Sequence, residues 1–503
     1  MSHLKYISFD NFRVFEQRTK FELSPLTFLT GPNSSGKSSL LKGLLLLKSN
    51  YNSDLQVLDF SGAKHNLGTF ENAINKKNKK TENMTFGFQA SISSEGFPFT
   101  YIKQPVTTKR SVYNILKEFK SKADTDVFLE LTYKKNDRSG KLSIVELFLE
   151  NDEESFLKLI IGDVNSEYHT LNFNYEKISK SKVLKELFLE QVIRNDYNIT
   201  KSAKTKSYKF PTHFAFQEKT KIEYFDEPVL VFSKLYEKFL DENINIKINK
   251  DLHHYLLGHP LRRFLKDFAS LIENIEYLEA VRANTRRLYT NDSQGTSFNE
   301  LILEYRSREI SGKSLEFTNK WLKKFEIADE IIFDNIEGVA TTIYLKKNNE
   351  KIALADLGYG ITQFIPILLK ISLEEPIKNN KDLSIVKKLI LLEEPETNLH
   401  PKLQSLIADF LLDAIRTFEV RFIVETHSEY IIRKVQILTA EYTLKPNESV
   451  IYYFNNFEND NKNEKIVKIN INENGTMSND FGEGFYDEAT NLKFQLLKIK
   501  TQN

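Results

Sequence analysis

The segment GPNSSGKS, Gly31 to Ser38, constrains this chain more than any other stretch, because it fits the pattern G-x-x-x-x-G-K-[ST]. It follows "LTFLT", an apolar run that reads as a strand, and it opens a leucine-rich helix from Ser38 to about Lys48. Strand, loop and helix in that order are the context the pattern needs. Glycines let the backbone wrap phosphates without a Cβ clash. The loop amides and the helix N-terminus supply donors and positive partial charge. Lys37 adds a point charge at the β- and γ-phosphates, and the Ser38 hydroxyl can ligate magnesium. The run Leu40 to Leu47 is interrupted by Lys42 and Gly43 and falls far short of the ~20 apolar residues a bilayer requires. It reads as a buried helix, and no membrane partner is expected.

Three further segments carry chemistry. In "KLILLEEPETNLHP" (388–401) four apolar residues form a buried strand whose end presents Glu393 and Glu394. One carboxylate there can hold a metal through its water shell, and its neighbour can orient or deprotonate an attacking water. In "FIVETHSEYIIRK" (422–434) a second apolar strand ends at Glu425-Thr426-His427, where a histidine can sense a γ-phosphate. In "LADLGYGITQFIPILLK" (354–370) Gly358 and Gly360 make a turn, and Thr362 and Gln363 open an apolar helix whose N-terminus is another anion site.

Charge excludes less than the motifs include. Lys and Arg number 70 against 69 Asp and Glu, so no global basic field announces nucleic acid. Local basic stretches remain as candidate DNA contacts: Lys201, Lys204, Lys206 and Lys209; Arg262, Arg263 and Lys266; Arg282, Arg286 and Arg287. A solvated face balanced by nearby acids explains them equally well. The absence of cysteine removes disulfides, thiolate nucleophiles and Cys-ligated zinc. With no apolar h-region at the N-terminus, a cytoplasmic location is expected.

Between about 85 and 265 the character changes. Runs at 127–133, 142–150 and 156–162 predict a small antiparallel sheet, and helical patterns follow near 181–195, 228–240 and 256–275. No sustained heptads and no repeat period occur, and the segment is too short and too strand-rich for a long coiled-coil arm. Near the end, "VIYYFNN" and "KIVKININENG" predict a hairpin, with a turn at Asn474-Gly475 beyond it.

In order, the four motifs resemble the Walker A loop, signature, Walker B with D-loop, and H-loop of ABC-type ATPases. "NFR" at Asn11 to Arg13, ahead of "LTGPNSSGKSSLL", resembles the opening of RecF, SMC and OLD proteins. "DLGYGITQ" and "EEPETNLHP" are similar to the signature and Walker B of a prokaryotic AAA-labelled ATPase group that includes PtuA, the ATPase of the Septu anti-phage system. "YLEAVRANTRRLY" (277–289) and "FGEGFYDE" (481–488) are weaker echoes. The likeness covers residues 1–75 and 275–503 and barely touches 90–265.

The resemblance implies an α/β ABC-type ATPase head, a mixed sheet with flanking helices plus an antiparallel lobe, carrying an α+β insertion. It implies a Walker A lobe over 1–90, an insertion for dimerisation or partner docking over 91–265, and a lobe with signature, Walker B, D-loop and H-loop over 266–440. A hairpin and helix over 441–503 complete it. Gly31, Asn33, Ser34, Gly36, Lys37, Ser38 and Ser39 would hold ATP and Mg2+, with Arg13 reaching the nucleotide. Glu393 would stand on the metal side, where ABC proteins usually have aspartate. Glu394 would be the general base, His427 the γ-phosphate sensor, and Asn398, Leu399 and His400 the D-loop. Gly358, Gly360, Thr362 and Gln363 would be offered to the γ-phosphate of a partner chain. The implied assembly is a homodimer or an oligomer of dimers acting as a nucleotide-gated switch on a separate nuclease or effector. A RecF-like repair ATPase and a nucleotide-gated scaffold with little hydrolysis are the alternatives.

Overall fold

The computed structural model describes residues 3–51, 55–62, 64–78, 81–93, 124–149, 154–162, 168–174, 176–177, 205–211, 271–279, 287–290, 298, 301–302, 304–305, 312–336, 340–374, 377–378, 385–455, 465–482, 486 and 488–502. The helical patterns near 181–195 and 228–240, most of 256–275, and Lys201, Lys204, Arg262, Arg263, Lys266, Arg282 and Arg286 lie outside them. The chain divides into two compact units. One comprises Met1–Glu22, Ser39–Ile275 and Ile377–Lys387; the other comprises Leu23–Ser38, Glu276–Pro376 and Lys388–Asn503.

The first unit is built on a nine-stranded antiparallel sheet. Its strand order is Thr205–Pro211, Tyr168–Asn174, Leu157–Ile160, Ser139–Leu149, Asp124–Asn136, Asn83–Ser93, Leu4–Asp10, Thr19–Glu22, with Val57–Leu58 beside Ser139–Leu149. The antiparallel strands expected between 127 and 162 are present. They continue the N-terminal sheet, because Asn83–Ser93 pairs with Leu4–Asp10 on one side and Asp124–Asn136 on the other. Phe9 makes ring contacts with Phe12, Phe15, Phe21 and Phe86, and all five are buried. The helix Lys37–Ser49 meets this cluster at Gly43, where a Cβ would come within 2.3 Å of the Phe9 ring. Leu40, Leu41 and Leu44 to Leu47 are all buried, as expected of a helix that is apolar all round.

Burial also strands a carboxylate on this sheet. Glu130 lies in register with Glu146, which lies opposite Lys158, and it pairs with the Arg18 guanidinium. Burial outweighs Arg18 and raises its pKa from 4.5 to about 6. A raised carboxyl pKa means the folded state is favoured below about pH 4.5 and loses stability as pH climbs through about 6. Glu130→Gln removes that loss. The stability difference between variant and wild type should move by up to about 2 kcal/mol in the variant's favour between pH 4.5 and 7.5. Melting curves across that range check it, and a pH-independent difference would refute it.

The second unit holds a six-stranded sheet in the order Ile275–Leu278, Leu389–Glu393, Arg421–Glu425, Leu26–Thr30, Ser449–Phe454, Ile466–Ile469. The four strands from Leu389–Glu393 to Ser449–Phe454 run parallel, and Ile466–Ile469 closes the expected hairpin antiparallel. Strands in a parallel sheet are covered on both faces, which is why "LILL", "FIV" and "LTFLT" read as unbroken apolar runs. A smaller antiparallel sheet brings Tyr289–Thr290, Ala340–Lys347 and Glu330–Ile336 together, with Glu350–Ala353 pairing Ala340–Lys347. Helices Gly312–Lys324, Tyr359–Ser372 and Pro401–Phe418 share an aromatic core in which the Phe364 ring lies tilted 4.1 Å from Phe325 and edge-on 5.3 Å from Phe410. The Trp321 indole donates to Asp413 at 2.7 Å, so its N–H is satisfied in that core. The C-terminal helix Glu488–Gln502 keeps Leu492, Phe494, Leu496 and Ile499 exposed. Among the described residues no helix is long and apolar enough to cross a membrane.

Candidate nucleotide site

The site grows from three neighbouring strand ends. Thr30 ends the strand that feeds the glycine loop, and Gly31 takes φ 135°, outside the range of ordinary side chains. A Cβ there would meet the Phe454 carbonyl oxygen at 2.3 Å, so both the backbone conformation and the packing require glycine. Gly36 takes φ 108° and Ser34 φ 62°, which curls the loop. Asn33 and Ser34 are exposed at its crest. Lys37 starts the helix and is almost fully buried, donating to the carbonyls of Gly31 at 3.0 Å and Pro32 at 2.8 Å. Phosphate oxygens compete for the same ammonium.

One strand away, Glu425 ends Arg421–Glu425 beneath the loop. Ser38 donates its hydroxyl to the two Glu425 carboxylate oxygens at 3.2 and 3.1 Å, and the Lys37 ammonium lies 4.0 Å from the same group. Burial pushes the Glu425 carboxyl up to about 7, against the pull of Lys37 and with a further push from Glu393. Burial likewise lowers the pKa of Lys37, opposed by Glu425 and Glu394.

The next strand sets Glu393 in register with Glu425. Tyr277 lies on the strand beyond, and burial together with the Glu393 carboxylate raises its phenol pKa. Glu394 leaves the strand with φ 39°; its amide donates to the Glu425 carbonyl at 2.8 Å, and Thr397 donates to its carboxylate at 3.1 Å. His427 is exposed, its pKa lowered by partial desolvation and by the Lys37 charge. Lys37, Glu394, Glu425 and His427 therefore feel one another's charge at one end of the sheet. The buried Glu396 ties two loops together by accepting from the Thr426 hydroxyl and the His427 amide, both at 2.7 Å. Burial raises its pKa.

Around this centre the other expected residues divide. Asn398 is exposed at φ 62°, Leu399 is buried, and His400 caps the following helix by accepting from the Lys402 amide at 3.3 Å. Gly358 caps the helix Tyr359–Ser372, and Tyr359 is 58% exposed. The Thr362 and Gln363 side chains are buried in the chain itself. The reason is depth along the helix: only Tyr359 to Ile361 at its start are open, and from Thr362 to Leu369 every residue is buried whichever way it points. Gly360 lies against the backbone of Asn398, where a Cβ would stand 2.2 Å from the carbonyl oxygen. In the first unit Arg13 donates to the buried Ser39 hydroxyl at 3.1 Å. Arg287, one of the basic candidates for DNA, pairs with Asp356 at 2.7 Å.

A family model described as AAA ATPase domain matches residues 3–432, across both strand-end motifs and the glycine loop. This chain belongs to that family. A second model, a protein of unknown function (DUF3696), matches residues 444–496 of this AAA ATPase. No curated protein matches the sequence. Similar solved structures include an Smc head bound to the C-terminal winged-helix domain of ScpA, with 12% identity over 94% of this chain and 98% of that one, TM-score 0.39. Another is the Smc head with an extended coiled coil bound to the C-terminal domain of ScpA, from Pyrococcus furiosus, with 12% identity, 99% and 100% coverage and TM-score 0.36. The SMC head domain from Thermotoga maritima has 9% identity, 93% and 99% coverage and TM-score 0.35.

Membership implies a nucleotide with magnesium, and the residues fit both. Among the described residues no three His, Cys, Asp or Glu side chains are grouped to cage a metal by themselves. Magnesium rarely needs such a cage, because it keeps water and phosphate oxygens beside one or two protein ligands. A hydroxyl against a carboxylate, with further acids crowding it, is that kind of seat. In the sequence Glu425 reads only as a strand end, and Tyr277 has no visible role. The signal for Glu425 is nevertheless there, since "FIVE" ends in an acid just as "LILLE" does. Tyr277 is visible only as the first residue of the echo YLEAVRANTRRLY, and strand pairing is what brings it beside the strand of Glu393.

Proposed function

We propose that this AAA ATPase hydrolyses ATP with magnesium and works as a head-to-tail dimer in the cytoplasm. The carrying observation is the gathering of Lys37, Ser38, Glu394, Glu425 and His427 at the ends of three adjacent parallel strands. The glycine loop and Lys37 bind the phosphates, Ser38 and the strand-end carboxylates face the metal, and Glu394 orients the attacking water as its base. A neutral His427 can donate to the γ-phosphate. The exposed first turn at Gly358 to Gly360 completes the site of the opposite protomer, with Thr362 and Gln363 bracing it from inside. ATP then favours one dimer arrangement and hydrolysis releases it, which is a two-state switch biased by differential contacts.

The switch acts on a separate nuclease or effector chain in anti-phage defence. That part of the reading is supported by the likeness of "DLGYGITQ" and "EEPETNLHP" to the Septu-type ATPases. The dimer is tested by light scattering. Wild type with ATP and magnesium should double in mass, while Lys37→Ala should stay monomeric under the same conditions. A wild type whose mass ignores ATP would end the split-site reading.

A further inference from the structure

The acid two residues beyond Glu394 is buried in a way that stability alone does not explain. Glu396 is 7% exposed, and one of its oxygens takes both of its contacts with the turn after the Arg421–Glu425 strand. That oxygen, Oε1, accepts from the Thr426 hydroxyl and from the His427 amide, both at 2.7 Å. The other, Oε2, is buried with no hydrogen-bond partner among the described residues. Burying a carboxyl group with an idle oxygen is costly, and a hydroxyl or an amide could tie two loops together with less desolvation.

The turn held in this way carries His427. Strand pairing ends at Thr426, whose amide donates to the Leu29 carbonyl at 3.0 Å. His427 is the next residue, and its amide goes to Glu396 instead of to a strand. Its side chain is exposed, so its direction depends on the backbone that carries it. On the far side the Ser428 amide donates to the Thr426 hydroxyl at 3.1 Å, and the Ser428 hydroxyl donates to Gln404 Oε1 at 2.7 Å. Gln404 lies in the helix Pro401–Phe418, and its Nε2 donates to the Leu399 carbonyl at 2.9 Å. Both neighbours of His427 are therefore tied to the segment that follows Glu394.

We infer that Glu396 is a positioning residue that aims His427 at the γ-phosphate, acting through the His427 amide while Gln404 steadies the same turn from Ser428. The inference rests on the proposed ATP site and deepens it. It also gives base and sensor one support. Thr397, beside Glu396, donates its hydroxyl to the Glu394 carbonyl at 2.9 Å and to the Glu394 carboxylate at 3.1 Å. Glu394 and His427 are thus carried by a single hydrogen-bonded body, and Glu396 is the side chain that joins its two halves.

The test is a double-mutant cycle in the full chain, with kcat and ATP affinity measured for Glu396→Ala, Glu396→Gln, His427→Ala and the Glu396→Ala/His427→Ala pair. Glu396→Ala should lower kcat by ~10- to 10²-fold, the cost of a misplaced group, with ATP affinity unchanged. Glu396→Gln keeps an accepting oxygen for both donors and should restore turnover to the wild-type range. In the His427→Ala protein, adding Glu396→Ala should cost less than about 2-fold more, because the side chain it aims is gone. A full loss in that background would overturn the inference and place the effect of Glu396 on Glu394 or on the fold. Wild-type turnover in His427→Ala, or a Glu396→Gln protein as slow as Glu396→Ala, would overturn it too. Wild type that turns over no ATP would defeat the proposed function and the inference with it, whereas an active wild type with additive losses sinks the inference alone. Melting curves establish that the variants fold. Thr426→Val stands in if Glu396→Ala does not, since it removes one of the two donors and keeps the side chain's shape. It should show a smaller loss of kcat that vanishes in the His427→Ala background, and a loss that persists there would count against Glu396 as decisively.

Discussion

Glu394→Gln is expected to cut steady-state ATP turnover by ~10²- to 10⁴-fold, the usual worth of a positioned general base. The substitution is nearly isosteric, and glutamine tolerates φ 39° no worse than glutamate does. Its amide oxygen can still accept from Thr397, the contact that now holds the Glu394 carboxylate at 3.1 Å. Folding and ATP affinity should therefore stay close to wild type while the water-activating group is lost. A dimer closed by ATP should then persist, because the step that opens it no longer occurs. Phosphate release and light scattering on the same sample test both halves. Equal turnover in variant and wild type would remove Glu394 from the chemistry, and with it the enzymatic part of the proposal.

The second large effect is expected at Gly360. A Cβ at this position would stand 2.2 Å from the Asn398 carbonyl oxygen and 2.9 Å from its carbon, and neither backbone atom can swing away. Gly360→Ala must separate the helix Tyr359–Ser372 from the Asn398 backbone or distort one of them, at a cost of about 1–3 kcal/mol. The two segments are also joined through Phe364 and Phe410, so a shift at Gly360 propagates along a packed contact. The expected result is a lowered melting temperature, with ATP-dependent dimerisation and turnover lost while ATP binding survives. Gly358→Ala separates sterics from loss of glycine as such, since nothing lies within 4 Å of the point a Cβ would occupy there and its φ is −61°. Its melting temperature should match wild type. A Gly360→Ala protein that melts and dimerises like wild type would show that the two segments do not depend on this contact.

Much of this architecture is legible in the sequence. The loop–helix start, the two apolar strands ending in acids, the C-terminal hairpin and the antiparallel strands after 124 are local patterns, and the chain forms them where those patterns lie. Less legible is the sheet that joins those antiparallel strands to the N-terminus. The pairing of Asn83–Ser93 with Asp124–Asn136 spans residues whose spacing carries no periodic signal. The side-chain directions of Thr362 and Gln363 are also unreadable there, because a short motif does not specify which helical turn meets the core.

What the sequence determined by itself is the phosphate-binding loop. Eight contiguous residues carry their own geometry, with glycines at φ 135° and 108° and a lysine and serine placed by the first helical turn. Tertiary structure decided which acid meets that loop's serine. Ser38 and Glu425 are 387 positions apart, and parallel strand pairing brings them within 3.1 Å. Contacts between distant strand ends are fixed by register and burial, and neither is written in any one segment.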